Sequence, residues 1–251
     1  MSGHSKWSTI KYRKGAADAA KGKIFTKHAN LITIAAREGG GDPEMNTSLR
    51  LAIDNARDDN MPNANIERAM KRGTGANDGS TQIFEMKYEG YGPEGVAVIV
   101  NALTDNKNRT VASIRSAFTK NSGSLGESGC VSWMFLKKGV LTLRVDPEKI
   151  ESYEMLAIES GADDFRVSEE SLEIITPPLD FFRIKSAFEA VHAQIERAEI
   201  TLIPKNTISI EDENVARKIL ALMDALENDE DVSSVSSNFD IPEKILQKIA
   251  V

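Results

Sequence analysis

The chain has 251 residues, with 31 Lys+Arg against 38 Asp+Glu and 41% hydrophobic residues. That length can bury a core split over two or three domains, and the composition is ordinary for a globular protein. No apolar run approaches the ~20 residues of a membrane helix, no apolar segment follows the N-terminal charges as in a secretory signal, and the single Cys130 excludes an internal disulfide, so a reducing, cytoplasmic location is expected.

Residues 1–78 read as helical. Ile24, Phe25, His28, Leu31, Ile32 and Ala35 recur at helical spacing up to Gly39-Gly40-Gly41, which interrupts a helix. Leu49, Ala52, Ile53 and Ala56 predict a second helix. Pro62 breaks the chain, with Asn63 and Asn65 as candidate caps, and Ile66, Ala69 and Met70 predict a third helix ending near Gly73-Thr74-Gly75. Three short amphipathic helices form a small bundle. The first 20 or so residues have no clear apolar stripe.

After Asp78 the period changes. Strands are predicted at 82–89 and 96–103, a helix on Val111, Ile114 and Phe118, and strands at 131–135 and 140–145. A helix from Pro147, strands at 164–167 and 172–175, a helix on Phe181, Ile184, Phe188 and Val191, and a strand at 199–203 follow. Residues 139–204 thus read β-α-β-β-α-β, the ferredoxin-like pattern. A strand at 207–210, a helix on Val215, Ile219, Leu222 and Leu226, and a strand at 232–236 complete the chain. The expected fold class is α+β with three domains: a basic helical N-terminal domain (1–78), an α+β domain (79–138 plus 205–251) and an inserted ferredoxin-like domain (139–204).

Charge is unevenly distributed along this plan. Residues 1–78 carry 13 basic and 9 acidic residues, a net of +4, and the remainder carries a net of −11. The first 28 residues hold Lys6, Lys11, Arg13, Lys14, Lys21, Lys23 and Lys27 against Asp18 alone, with Trp7 and Tyr12 among them. A basic arm on an acidic body suits a polyanion, its cations on phosphates and its rings on bases. The blander reading is a solvated lysine-rich surface.

Gly90-Tyr91-Gly92-Pro93-Glu94-Gly95 matches G-x-G-x-x-G, but the strand-like 96–100 follows it where a dinucleotide site needs a helix. The expectation is a hairpin loop. His4, His28 and His192 lie far apart and show no metal-ligand spacing; His28 and His192 read as helical, and His4 lies beside the basic arm. Cys130 has no nameable base partner and reads as a small packed residue. No catalytic residues, metal or cofactor are expected, and no small-molecule substrate. Two polar loops suggest a second contact: Lys107 and Arg109 where a helix opens, and the Gly/Ser-rich stretch after Lys120 with Ser122, Gly123 and Gly126, followed by Trp133. A capped helix start is a full structural explanation of the first, and a plain connector is the blander reading of the second. No helix-turn-helix with a plausible recognition helix stands out.

Gly3-His4-Ser5-Lys6-Trp7, Lys23-Ile24-Phe25-Thr26-Lys27, Gly39-Gly40-Gly41-Asp42-Pro43 and Arg68-Ala69-Met70-Lys71-Arg72-Gly73 resemble the YebC family. So do Glu89-Gly90-Tyr91-Gly92-Pro93, Thr104-Asp105-Asn106-Lys107-Asn108-Arg109-Thr110, Phe135-Leu136-Lys137-Lys138-Gly139 and Leu202-Ile203-Pro204-Lys205. The similarity keeps its order along nearly the whole chain; Glu94 stands where glycine is expected in some members. The resemblance implies three domains, the third inserted in the second, and a non-enzymatic regulator of gene expression. Bacterial members are described as probable transcriptional regulators that bind DNA. Relatives, including a mitochondrial translational activator of cytochrome c oxidase subunit I, act with the ribosome on proline-rich stretches. The expected partner is therefore DNA or ribosomal RNA, met by Lys6, Trp7, Lys11, Arg13, Lys14, Lys21, Lys23 and Lys27. A nucleotide enzyme built on the Gly90–Gly95 loop and a protein-binding scaffold are the other classes weighed.

Overall fold

The computed structural model describes residues 18–75, 82–168 and 171–249. Three helices open it: α1 (Asp18–Gly39), α2 (Thr47–Asp58) and α3 (Asn63–Gly73). Ile32, Ala36, Leu49, Ile53, Ala56, Met61, Ile66 and Ala69 close into one core, so the apolar stripes meet as their spacing predicts. Asn46 ties the turn between α1 and α2. Its side-chain oxygen accepts the Leu49 N–H at 3.0 Å, and its amide donates to the carbonyls of Ala35 (2.8 Å) and Gly40 (2.9 Å). Asn63 and Asn65 do not cap α3. Pro62 holds the cap position without a side-chain bond, and Asn63 is already helical.

β1 (Phe84–Tyr91) and β2 (Ala97–Thr104) form a hairpin, followed by α4 (Lys107–Lys120) and the short β3 (Ser124–Leu125). The strand expected at 131–135 is instead a 3₁₀ turn over Ser132–Met134, and β4 runs unbroken from Phe135 to Arg144. The physical reason lies in the amides of Val131 and Ser132, which donate to a side chain rather than to a strand. Then come a 3₁₀ turn at Pro147–Lys149, α5 (Ile150–Glu159), β5 (Asp164–Val167), β6 (Ser171–Thr176), α6 (Phe181–Ala190) and β7 (Gln194–Pro204). His192 is not helical; it follows α6 in the left-handed region at φ 54°. The chain ends with β8 (Ile208–Ser209), α7 (Glu213–Glu227), β9 (Val232–Ser237), β10 (Phe239–Asp240) and α8 (Glu243–Ile249), of which β10 and α8 have no counterpart in the sequence reading.

The fold is α+β: a helical N-terminal bundle and two α+β domains. Packing divides the chain into two compact units, Leu136–Ile203 and the residues on either side of it. In the first unit the sheet order is β5-β6-β4-β7, the order of a ferredoxin-like β-α-β-β-α-β domain. Its strands β4 and β6 run antiparallel, as do β5 and β6, and Leu141, Leu143, Leu172 and Ile174 are fully buried with Phe181, Ile184 and Phe188 of α6. The acid Glu173 is also buried, at 4% exposed.

In the second unit the sheet order is β3-β1-β2-β9. Val98 and Val100 pack with Ile114 and Phe118 of α4 and with Ile219, Leu222 and Met223 of α7. Alternation along β2 sends one set of side chains to the helices. Ile34 of α1 packs with Ile83 and Leu103, and Arg37 donates to the Ile83 carbonyl at 2.7 Å, so the bundle is joined to this sheet. The Lys205 amide donates to the Met134 carbonyl at 2.9 Å, which brings together the two chain ends that flank the ferredoxin-like domain.

Candidate nucleic-acid interface

Of the arm residues singled out by sequence, Lys6, Trp7, Lys11, Arg13 and Lys14 lie outside the described residues, and Lys21 belongs to α1. Lys23 Nζ donates to the Asn228 carbonyl at 3.3 Å, and Lys27 Nζ donates to the Glu227 carbonyl. Both ammonium groups therefore sit on the C-terminal end of α7, where unpaired carbonyls attract cations. They brace α1 against the second domain. A cleft of about 820 Å³ opens here, with Lys23 and Arg72 on one wall and Asp105, Asp229 and Asp231 on the other. Arg72 donates to Thr33 Oγ1 (3.1 Å) and Asn30 Oδ1 (2.9 Å), and burial lowers its pKa. With acids along one wall, this cleft is a poor seat for a polyanion.

The outer face of the bundle is different. α2 and α3 are joined by only four residues, Asp59 to Pro62. Asn60 adopts φ 62°, its N–H donates to the Arg57 carbonyl at 2.8 Å, and the next amide, of Met61, donates to the Ala56 carbonyl at 2.8 Å. Met61 is buried under the turn, and Ala56, Ile66 and Ala69 bring the helices together. A short link is one feature that this pair shares with a helix-turn-helix. Both helices were legible in the sequence, but the tight link was not, because Asn60 stands where glycine usually signals the turn. On α3 it leaves Asn63, Ala64, Glu67, Arg68 and Lys71 exposed. Thr47 and Ser48, at the start of α2, are exposed as well.

The two polar loops occupy opposite ends of α4. Its 14 residues at about 1.5 Å each separate them by roughly 20 Å, so they do not form one contact. At the N-terminal end Asn106 caps the helix by accepting the Arg109 N–H at 3.1 Å. Arg109 Nη2 donates to Asp231 Oδ1 and Asp105 Oδ1, both at 2.9 Å, and Lys107 Nζ lies 4.1 Å from the centre of the Phe84 ring. Arg109 is thus a strut between α4 and the chain before β9.

At the other end, Lys120, Ser122 and Gly126 are exposed, and Gly123 is partly covered. This loop crosses the edge of β1. Gly90 pairs with Leu125 and Tyr91 with Ser124, and the Gly126 N–H donates to the Glu89 carbonyl at 2.8 Å. The approach is so close that a Cβ on Gly90 would come within 2.6 Å of the Ser124 carbonyl oxygen.

Lys87, Glu89 and Tyr91 share one face of β1, and all three reach the turn at 130–133. Glu89 is 3% exposed. Its Oε2 accepts the N–H groups of Val131 and Ser132, each at 2.9 Å, and its Oε1 accepts the Ser132 hydroxyl. Burial pushes its pKa up, but the bonds from Ser132, Val131 and Gly129 outweigh it and hold the carboxyl at about 2. Lys87 Nζ donates to Ser132 Oγ at 3.2 Å. The Tyr91 hydroxyl and the Trp133 indole N–H donate to the same Cys130 carbonyl, at 3.1 and 3.0 Å. Trp133 is nonetheless 65% exposed. Cys130 is partly buried, and burial with the Glu89 charge raises its thiol pKa, the opposite of an activated nucleophile. Sequence reasoning noticed Trp133 only as a neighbour of the loop and missed Lys87 and Glu89; their alternate spacing along β1 was the available signal.

Of the Gly90–Gly95 stretch, Gly90 and Tyr91 end β1 and Gly92 to Gly95 make the hairpin connection to β2. A 3₁₀ turn at Pro93–Gly95 leads straight into β2, so no helix N-terminus faces the glycines. Among the described residues no group of three or more His, Cys, Asp or Glu side chains could hold a metal ion, and no helix is long and apolar enough to cross a membrane.

Residues 5–76 match the TACO1/YebC protein N-terminal domain, and residues 83–239 match the TACO1/YebC second and third domain. A protein of Halothermothrix orenii named probable transcriptional regulatory protein is 48% identical over 251 residues, covering 99% of each chain. One of the same name from Syntrophobacter fumaroxidans is 49% identical over 250 residues and covers both chains fully. The crystal structure of a conserved hypothetical protein from Aquifex aeolicus superposes with a TM-score of 0.84 at 46% identity, covering 92% of this chain and 94% of that one. With matches to both parts of the family and half-identical relatives along its full length, the chain belongs to the TACO1/YebC family.

Proposed function

We propose that this protein is a non-enzymatic regulator of gene expression that binds DNA in the cytoplasm through its basic N-terminal domain. The observation that carries this reading is the α2–α3 pair, whose four-residue link leaves the Asn63, Ala64, Glu67, Arg68 and Lys71 face of α3 exposed. In such a pair the second helix enters the major groove and the start of the first faces the backbone, here with Thr47 and Ser48. In the arm Lys6, Lys11, Arg13 and Lys14 add phosphate contacts and Trp7 stacks or wedges, and the net −11 of the remaining chain limits non-specific coating of the polymer. The names of the relatives agree with a role in transcription.

The test is competition binding to duplex DNA and to ribosomes across a salt series. Saturable binding to a selected duplex that survives competitor DNA is expected. Arg68→Ala with Lys71→Ala should weaken it at least tenfold at unchanged melting temperature. If the arm meets about five phosphates, the log–log salt slope is roughly −4.5, and Lys11→Ala, Arg13→Ala and Lys14→Ala together flatten it by roughly 2.7. Unchanged duplex affinity in both variants would remove the domain from the account.

A second reading is a ribosome-associated translation factor that relieves stalling on proline-rich stretches. It draws on the exposed Trp133 beside the Ser122–Gly129 loop, since structured RNA offers unpaired bases for stacking. Retention on ribosomes, with only salt-sensitive and sequence-blind DNA binding, would select it.

A further inference from the structure

Trp133 presents a physical puzzle. A tryptophan 65% exposed loses most of the benefit of burying its ring, yet the indole N–H of this one is bonded and the backbone on either side of that bond is tied down. Its indole N–H is fixed on the Cys130 carbonyl, which also receives the Tyr91 hydroxyl. The preceding residue, Ser132, gives its N–H and its hydroxyl to Glu89, a carboxylate buried on β1. The edge of the indole is therefore tied down while much of its surface faces solvent. Lys87 Nζ is at 3.2 Å from Ser132 Oγ and 3.9 Å from Glu89 Oε1, one residue from the ring, and its side chain is 45% exposed.

We infer that Trp133 and Lys87 form a site for one unpaired nucleotide, with the base stacked on the indole and a phosphate on the ammonium. The inference rests on the nucleic-acid reading above and adds to it a second site on another domain. A flat, rigid ring gains stacking energy without the entropy cost of ordering it, and every base offers a π-face. The acids nearby favour a single nucleotide over a duplex. Glu89 is internal and shared among donors, but Glu127 is exposed on the same loop and opposes a continuous phosphate backbone. Ser124, Ser128 and Gly129 are exposed on that loop, where backbone and hydroxyl groups can meet a base edge. The unpaired nucleotide can come from RNA or from opened DNA; the stacking chemistry is shared.

The full chain provides its own reporter, since it holds two tryptophans. In a Trp7→Phe variant the emission comes from Trp133 alone. It is titrated with single-stranded ribo- and deoxyribo-oligonucleotides of about 12 nucleotides and with duplex DNA, while anisotropy of the labelled nucleic acid reports total binding. Saturable quenching by a single strand is expected, and which strand quenches more names the source. Trp133→Ala should weaken single-strand binding roughly 5- to 150-fold, Trp133→Phe much less, and Lys87→Ala should reduce the salt slope by about 0.7. An exposed ring can be truncated without unfolding the chain, and an unchanged melting temperature checks this. Single-strand binding with unquenched Trp133 and an unaffected Trp133→Ala variant overturns the site and leaves the proposed function standing, as does quench-free binding to duplex alone. No binding to any nucleic acid overturns both.

Discussion

Glu89 Oε2 accepts the backbone N–H of Val131 at 2.9 Å, so an acid buried on β1 shapes a turn more than forty residues further along the chain. Without that carboxylate the amides of Val131 and Ser132 lose their partner, and a buried unpaired amide is costly. Glu89→Gln leaves one oxygen for both amides but puts an NH₂ where Oε1 accepts the Ser132 hydroxyl, so it should destabilise the fold by about 1.5–3 kcal/mol, the range for hydrogen bonds to a charged group. Chemical denaturation measures it.

The same group sets an acid limit. Its folded pKa, about 2, lies below the ordinary 4.5, so its contribution is complete above pH 4.5 and is lost as pH falls towards 2. The displacement corresponds to about 3 kcal/mol. Unfolding free energy followed from pH 6 to pH 2 should show this loss in the parent and much less of it in Glu89→Gln.

Asp231 accepts both Arg109 and the Thr110 hydroxyl, the latter at 2.8 Å, and its side chain is only 13% exposed against 54% for Arg109. Removing the less exposed partner should cost more. Asp231→Ala is expected to lose about 2–3 kcal/mol and Arg109→Ala about 1 kcal/mol or less, since exposed partners are screened. Arg109→Ala should leave nucleic-acid affinity within twofold, as expected for a strut.

Glu94 stands at φ 56° and is exposed in the hairpin loop. A left-handed backbone costs a side-chain-bearing residue roughly 1–2 kcal/mol, part of which glycine returns through the entropy of the unfolded chain. Glu94→Gly should therefore stabilise the domain by up to about 1 kcal/mol, read as a rise in melting temperature. The substitution should create no dinucleotide site at this loop, because the loop leads into a strand rather than a helix N-terminus.

Glu173 titrates in the opposite sense to Glu89. Burial pushes its pKa up, Arg166 and Arg197 pull it down, and Glu199 pushes it up further. With the folded pKa above the unfolded one, stability falls as pH rises through that window. Glu173→Gln should match the parent near pH 4 and exceed its stability at pH 8, with unfolding free energy at the two pH values as the measurement.

Much of the fold was legible because its signals are local. Ile32 and Ala36, or Phe181, Ile184 and Phe188, meet the core through helical spacing alone, and the β-α-β-β-α-β order of the ferredoxin-like domain follows from counting such elements. Elements defined by a distant partner were not legible. β3 and β10 are two residues each and exist because Gly90, Tyr91 and β8 lie beside them. The stretch 131–135 carries the apolar pattern of a strand, yet Glu89 takes its amides and makes part of it a turn.

By itself the sequence determined the three-part order of elements, the basic start on an acidic chain and the family resemblance, since periodicity, charge and motif order need no tertiary contact. Only the tertiary structure decided which charges are already spent. It placed Lys23 and Lys27 on the end of α7, tied Arg109 to Asp231, and left Arg68, Lys71 and Trp133 facing outward. A side chain's charge or ring is written in its residue type, but its availability depends on the neighbours that folding brings within hydrogen-bond reach.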